Sequence, residues 1–85
     1  MNKGILIIHM KSRSKSAVSV QKTLTKYGCI IKTRLGIHDG VLAGCSDNGL
    51  VVLEVVGDKK QRKALDAELK RLKEVKTKLV ELPFN

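Results

Sequence analysis

Asn48-Gly49-Leu50-Val51-Val52-Leu53-Glu54-Val55-Val56-Gly57-Asp58 is the stretch whose reading decides the fold. It opens on Asn-Gly, a strong tight-turn signal. Leu50–Val56 follows, apolar except for Glu54, and too short for a stable helix; such a run reads as a well-covered strand. Gly57-Asp58 ends the strand and starts a helix, because Asp58 and Gln61 have the spacing of a capping box.

Upstream, Cys29–His38 alternates. Cys29, Ile31, Thr33, Leu35 and Ile37 make one face; Ile30, Lys32, Arg34, Gly36 and His38 make the other. That is a second strand, and Asp39–Gly49, with Gly40, Gly44 and Gly49, is the connection of a hairpin. Downstream, Leu65, Leu69 and Leu72, with Ala64 nearby, form the buried stripe of a helix. Arg62–Asp66 and Asp66–Lys70 are spaced to pair on its outer side. Val75–Leu82 reads as a last strand, with Lys76 and Lys78 on one face, and Pro83 stops it.

The first half has the same grammar. Ile5–Met10 is apolar apart from His9 and reads as a strand. Lys11–Ser16 alternates basic residues with serines and reads as a loop. A helix is expected to start near Ser14 or Ser16, either of which can cap it. Ala17, Val20, Leu24 and Tyr27, with Val18 beside them, form its stripe. Gly28 stands where a left-handed residue closes a helix. The order is β-α-β-β-α-β, so the expected class is α+β with the ferredoxin-like arrangement: a four-stranded antiparallel sheet with two helices on one face. The first and third strands, the most apolar, should be central. The second and fourth carry lysines and should be edges, where lysine discourages pairing with other chains.

Two helices cover only one face of such a sheet. With Glu54 pointing away from them, Leu50, Val52 and Val56 share the open face, joined by Val80 and Leu82 from one edge and by Ile30, Lys32, Arg34 and His38 from the other. A face so apolar marks an interaction site, and a homo-oligomer, dimer or tetramer, is expected to bury it.

At 85 residues the chain is one domain, 1–85, too short for a two-domain enzyme. The composition, 42% hydrophobic and 29% charged, is that of a globular protein rather than a disordered one. No apolar run is long enough to span a membrane, and no signal peptide is read at the N-terminus. Cys29 and Cys45 are then expected to be reduced thiols in a cytoplasmic protein. The net charge of +9, from 17 Lys+Arg against 8 Asp+Glu, favours an anionic partner or simply solvates the surface.

Little in the chain supports catalysis. There is no P-loop, no GxGxxG and no nucleophile with a matched base, and no cofactor is expected. His9, His38, Cys29 and Cys45 are the soft ligand types, without metal-site spacing. His38 and Cys45, flanking the hairpin loop with Asp39 or Asp47, are the weak metal candidates. Nucleic acid is expected to bind weakly or not at all: Tyr27 and Phe84 are the only aromatics, and ferredoxin-like sheets that read RNA stack its bases on aromatics. Salt-sensitive contacts through Lys59, Lys60, Arg62 and Lys63 are the alternative. The segment Lys11–Ser16 is more informative. Lys11, Arg13, Ser14 and Ser16 place cations and hydroxyls at a helix start, the makeup of a site for a small anionic ligand.

Thr33-Arg34-Leu35-Gly36-Ile37-His38, the run Asn48–Gly57 and Val75-Lys76-Thr77-Lys78-Leu79-Val80 together resemble the small stand-alone ACT-like proteins named as iron-only hydrogenase system regulators. The matching elements are Arg34-Leu35-Gly36 in the second strand and the closing Val75-Lys76-Thr77-Lys78. The likeness runs over nearly the whole chain in element order. It implies an ACT-like, homo-oligomeric regulatory module that senses a small ligand beside the first strand–helix turn or at a subunit interface. The ligand-binding domain of nickel-responsive regulators is similar in fold, so a nickel or iron sensor is a further alternative, although its histidine-and-cysteine motif is not reproduced here. The long hairpin loop and the strong basicity depart from the family. No DNA-binding segment is attached, so regulation would require a protein partner.

Overall fold

The computed structural model describes residues 2–38 and 49–83, with the side chains at positions 13, 14, 37 and 38 outside that description. Strands β1 (Lys3–Met10), β2 (Ile31–His38), β3 (Gly49–Val55) and β4 (Val75–Leu82) form one antiparallel sheet in the order β2-β3-β1-β4. Helices α1 (Arg13–Lys26) and α2 (Lys59–Lys70) follow β1 and β3. The fold is therefore the ferredoxin-like βαββαβ arrangement, with the two most apolar strands at the centre of the sheet and the lysine-bearing ones at its edges.

One hydrophobic core lies between sheet and helices. Leu6, Ile8 and Met10 from β1, Val51, Leu53 and Val55 from β3, and Val75 from β4 pack against Val20 and Leu24 of α1 and Leu65 and Leu69 of α2. The central strands β1 and β3 each contribute every second residue, as a pleated strand with one covered face must. Leu72 and Leu79 close the margins, half-buried.

The capping box of α2 forms as its spacing predicts. Gln61 N–H donates to Asp58 Oδ1 at 2.7 Å, and Asp58 N–H donates to Gln61 Oε1 at 2.9 Å. Gly57 before it has φ +80°, and a Cβ there would stand 2.7 Å from Ile30 Cγ2. Only glycine meets both conditions at that turn.

Several local expectations are corrected. Helix α1 starts earlier than Ser14 or Ser16: Ser12 is the N-cap residue, and its carbonyl accepts from Ser16 N–H at 3.0 Å. Val18 is 67% exposed, so the apolar stripe of α1 is narrower than its composition suggests. Gly28 does not close the helix in a left-handed conformation. It opens a short 3-10 turn, Gly28–Ile30, that tucks Ile30 into the core and delays β2 to Ile31. Arg62 does not pair with Asp66 on the outer face of α2. It is buried and turned to β4, while Asp66 pairs with Lys70 at 2.9 Å and accepts from the Thr77 hydroxyl. No helix among the described residues is long and apolar enough to cross a membrane.

Candidate functional site: the open sheet face and its cationic margin

The face of the sheet away from the helices follows from the register. Ile5 lies opposite Glu54 and Val80, Ile7 opposite Val52 and Lys78, and His9 opposite Leu50 and Lys76. On β2, Thr33 lies opposite Glu54 and Leu35 opposite Val52. The centre of the face is thus Ile5, Ile7, Leu35, Val52 and Val80, with Leu50 at one end and Leu82 and Val56 at the other. Leu35 is 56% exposed, Leu82 44% and Val80 37%; Leu50, Val52 and Val56 are half-buried.

The expected members Leu50, Val52, Val56, Val80 and Leu82 all lie here. The expected contribution of β2 is corrected. A register irregularity between Ile31 and Thr33 and the core position of Ile30 put Thr33 and Leu35 on the open face, instead of Ile30, Lys32 and Arg34. For His38 the structure gives only backbone pairing with Gly49. Ile5, Ile7 and Leu35 are the additional members. The signal for the first two was present: β1 alternates in step with β3, so the residues paired with Glu54 and Val52 must share their face.

One ion pair crosses this apolar ground. Lys3 donates to Glu54 Oε2, and the Thr33 hydroxyl donates to Glu54 Oε1 at 3.0 Å. These hydrogen bonds hold the Glu54 carboxyl below the usual carboxylate range, Lys3 having the larger effect. Glu54 therefore sits neutralised on a strand centre rather than as a bare charge. No aromatic joins the face among the described residues: Tyr27 lies at the end of α1, where its hydroxyl donates to Glu68 at 2.7 Å.

At the β1 C-terminal end the surface becomes cationic. His9, Lys11, Glu74 and Lys76 line a hollow of ≈ 230 Å³. On the helix side of the same end, Lys15, Ser16, Ser19, Leu72, Lys73 and Glu74 line a second one of ≈ 160 Å³. Two of the four expected anion contacts are thereby parted. Lys11 is exposed and belongs to the sheet-side hollow. Ser16 is buried in α1, and its hydroxyl donates weakly to the Lys73 carbonyl at 3.4 Å, so it does not offer a donor at the start of the helix. The side chains of Arg13 and Ser14 lie outside the described residues.

The metal candidates are not brought to one place by anything described. Cys45, Asp39 and Asp47 lie outside the described residues, as does the His38 side chain. Among the described residues no group of three or more histidine, cysteine or acidic side chains is near enough to share an ion.

No family model matches the chain, and no curated protein matches it. Solved structures do. An uncharacterized protein of Thermotoga maritima, TM1266, is similar over 98% of this chain and 100% of that one, with a TM-score of 0.83 and 24% identity. The structure of CPII from Thiomonas intermedia, bound to ADP, AMP and acetate, is similar over 98% of this chain and 90% of that one, with a TM-score of 0.54 and 12% identity. A dimeric ferredoxin-like protein of unknown function from Thermobifida fusca overlaps less, with a TM-score of 0.43, 18% identity and coverage of 94% and 92%. At 24% and 12% identity, the first two likenesses establish the ferredoxin-like fold of this chain, and its function has to be argued from its own residues.

Proposed function

We propose that the chain is a non-enzymatic, homo-oligomeric regulatory module that binds a small anionic ligand beside the turn following β1. The observation that carries this reading is the open sheet face centred on Ile5, Ile7, Leu35, Val52 and Val80. Four strands about 4.8 Å apart, seven or eight residues long at about 3.3 Å each, span on the order of 500 Å² in projection. That approaches the ~800 Å² of accessible surface that each partner contributes to a standard interface. A second copy is the natural cover of the apolar centre, where Lys3 neutralises Glu54, while Lys78, opposite Ile7, stands on the β4 edge of the same face.

The cations around Lys11 and the turn into α1 support an anionic ligand. CPII, of the same fold, was obtained with ADP, AMP and acetate bound, all carrying phosphate or carboxylate groups. The resemblance to iron-only hydrogenase system regulators accords with a regulatory role exerted through a protein partner. Native mass spectrometry of freshly purified protein tests the reading. Dimers or tetramers are expected, with a retained small anion released on denaturation. A monomer with no bound molecule, at concentrations where a phosphate titration also gives no heat, would refute it.

A further inference from the structure

We propose that the hollow lined by His9, Lys11, Glu74 and Lys76 is a binding site for one small oxyanion, a phosphate or a carboxylate group. This rests on the reading that the chain binds a small anion, and it moves the contacts from the helix start to the sheet side of the turn.

Placement comes first. His9 and Lys76 are register partners on adjacent strands, and Lys11 stands two residues beyond His9. All three border a hollow of ≈ 230 Å³. That lies below the roughly 300–1,000 Å³ of sites for drug-sized ligands and suits a phosphate or a short carboxylate.

Charge comes second. Among the described residues, Glu54, Asp66, Glu68 and Glu81 are tied to Lys3, Lys70, Lys26 and Arg62, and Asp58 caps α2. Neither Lys11 nor Lys76 enters an ion pair among the described residues. Glu74 is the one acidic residue of the lining, so the lining residues carry a net positive charge around a mostly apolar surface, and both ammonium groups are available to an oxyanion seated there.

The third observation is backbone strain. Glu74 has φ 61°, the left-handed region that a non-glycine residue adopts at a cost. Its carbonyl accepts from Lys11 N–H at 3.0 Å, pinning the end of β1 to the start of β4. Backbone held this way clusters at ligand clamps. Here it fixes the backbone that carries Lys11 and Lys76 beside one hollow before any ligand arrives, which lessens the ordering cost of binding.

The test is an NMR titration of the full chain with inorganic phosphate, and separately with acetate, against sodium chloride at matched ionic strength. A saturable shift of amides 9–11 and 74–77 and of the His9 ring is expected for at least one of the two anions. Lys11→Gln and Lys76→Gln should each weaken binding by roughly tenfold, the weight of one charge-assisted hydrogen bond. Glu74→Gln, which removes the opposing charge, should tighten it. If Glu74→Gln weakens binding instead, Glu74 is itself a ligand contact and the site is not an oxyanion site. Saturable shifts confined to amides 13–16 would overturn this placement and leave the proposed function standing. Equal, unsaturated responses to phosphate, acetate and chloride throughout the chain would overturn both.

Discussion

Arg62, at 2% exposure the largest fully buried side chain among the described residues, holds both carboxylate oxygens of Glu81 on the edge strand β4. Its Nε lies 3.1 Å from each oxygen, its Nη2 lies 2.6 Å from Oε1, and its Nη1 donates to the Gly57 carbonyl at 2.6 Å. One guanidinium thus ties α2, the β3–α2 turn and β4 together. Removing only one partner strands a charge in the interior. Glu81→Ala should lower unfolding free energy by about 3 kcal/mol, read from urea midpoints at unchanged slope. The double replacement Arg62→Met with Glu81→Leu should recover much of that loss, because two packed apolar side chains strand no charge.

The same contact sets a pH dependence. Arg62 holds the Glu81 carboxyl below its ordinary value near 4.5, and hydrogen bonds from Lys3 and from Tyr27 act likewise on Glu54 and Glu68. A carboxyl depressed in the folded state binds protons more readily when unfolded. Its stabilisation is fully present above about pH 4.5 and is lost as pH falls through the lower, folded value. Urea midpoints should therefore decline on acidification below about pH 5, and Glu81→Gln should show a shallower decline. An identical pH profile for the variant would exclude Glu81 as a contributor.

Gly57 offers a purely steric test. At φ +80° a side chain is strained, and its Cβ would also press on Ile30 Cγ2 at 2.7 Å. Gly57→Ala should cost about 1–3 kcal/mol. Gly28→Ala, with open space around the added methyl and no positive φ, should stay within about 0.5 kcal/mol. Thermal melts of the two variants separate these cases.

Much of this architecture was legible because the hydrophobic period changes cleanly between 2 and 3.6. Leu50–Val56 with Glu54 gave the orientation of β3, and Asp58 with Gln61 gave the start of α2. What periodicity could not give was register. The shift between Ile31 and Thr33 exchanges the faces of β2, which is why Leu35 rather than Arg34 reaches the open side. Arg62 was misplaced for a related reason: spacing four from Asp66 allows a surface pair, but the choice between Asp66 and Glu81 depends on which strand α2 packs against. The hollow beside the turn was only partly legible: of its lining, Lys11 was singled out from the sequence, whereas His9, Glu74 and Lys76 meet it only through the antiparallel pairing of β1 with β4.

The positive charge also has a testable limit. With Arg62 committed to Glu81, Lys59, Lys60 and Lys63 remain of the four basic residues at the start of α2 that could meet a phosphate backbone. Duplex DNA or RNA should bind weakly, without sequence preference, and lose affinity steeply as salt rises. Fluorescence anisotropy over a salt series measures this. A sub-micromolar, sequence-selective complex near physiological salt would instead place nucleic acid among the chain's partners.

The most direct measurement of the central claim is sedimentation equilibrium of the wild-type chain and of Val52→Asp over a concentration series reaching tens of micromolar. Val52 stands at the middle of the open face between Ile7 and Leu35, and a charge buried there without a partner costs several kcal/mol. The wild-type chain should sediment as a dimer or tetramer, and Val52→Asp as a monomer that retains its far-ultraviolet circular dichroism. A wild-type monomer throughout that range, or an oligomer indifferent to Val52→Asp, would contradict the assignment of this face as the subunit interface.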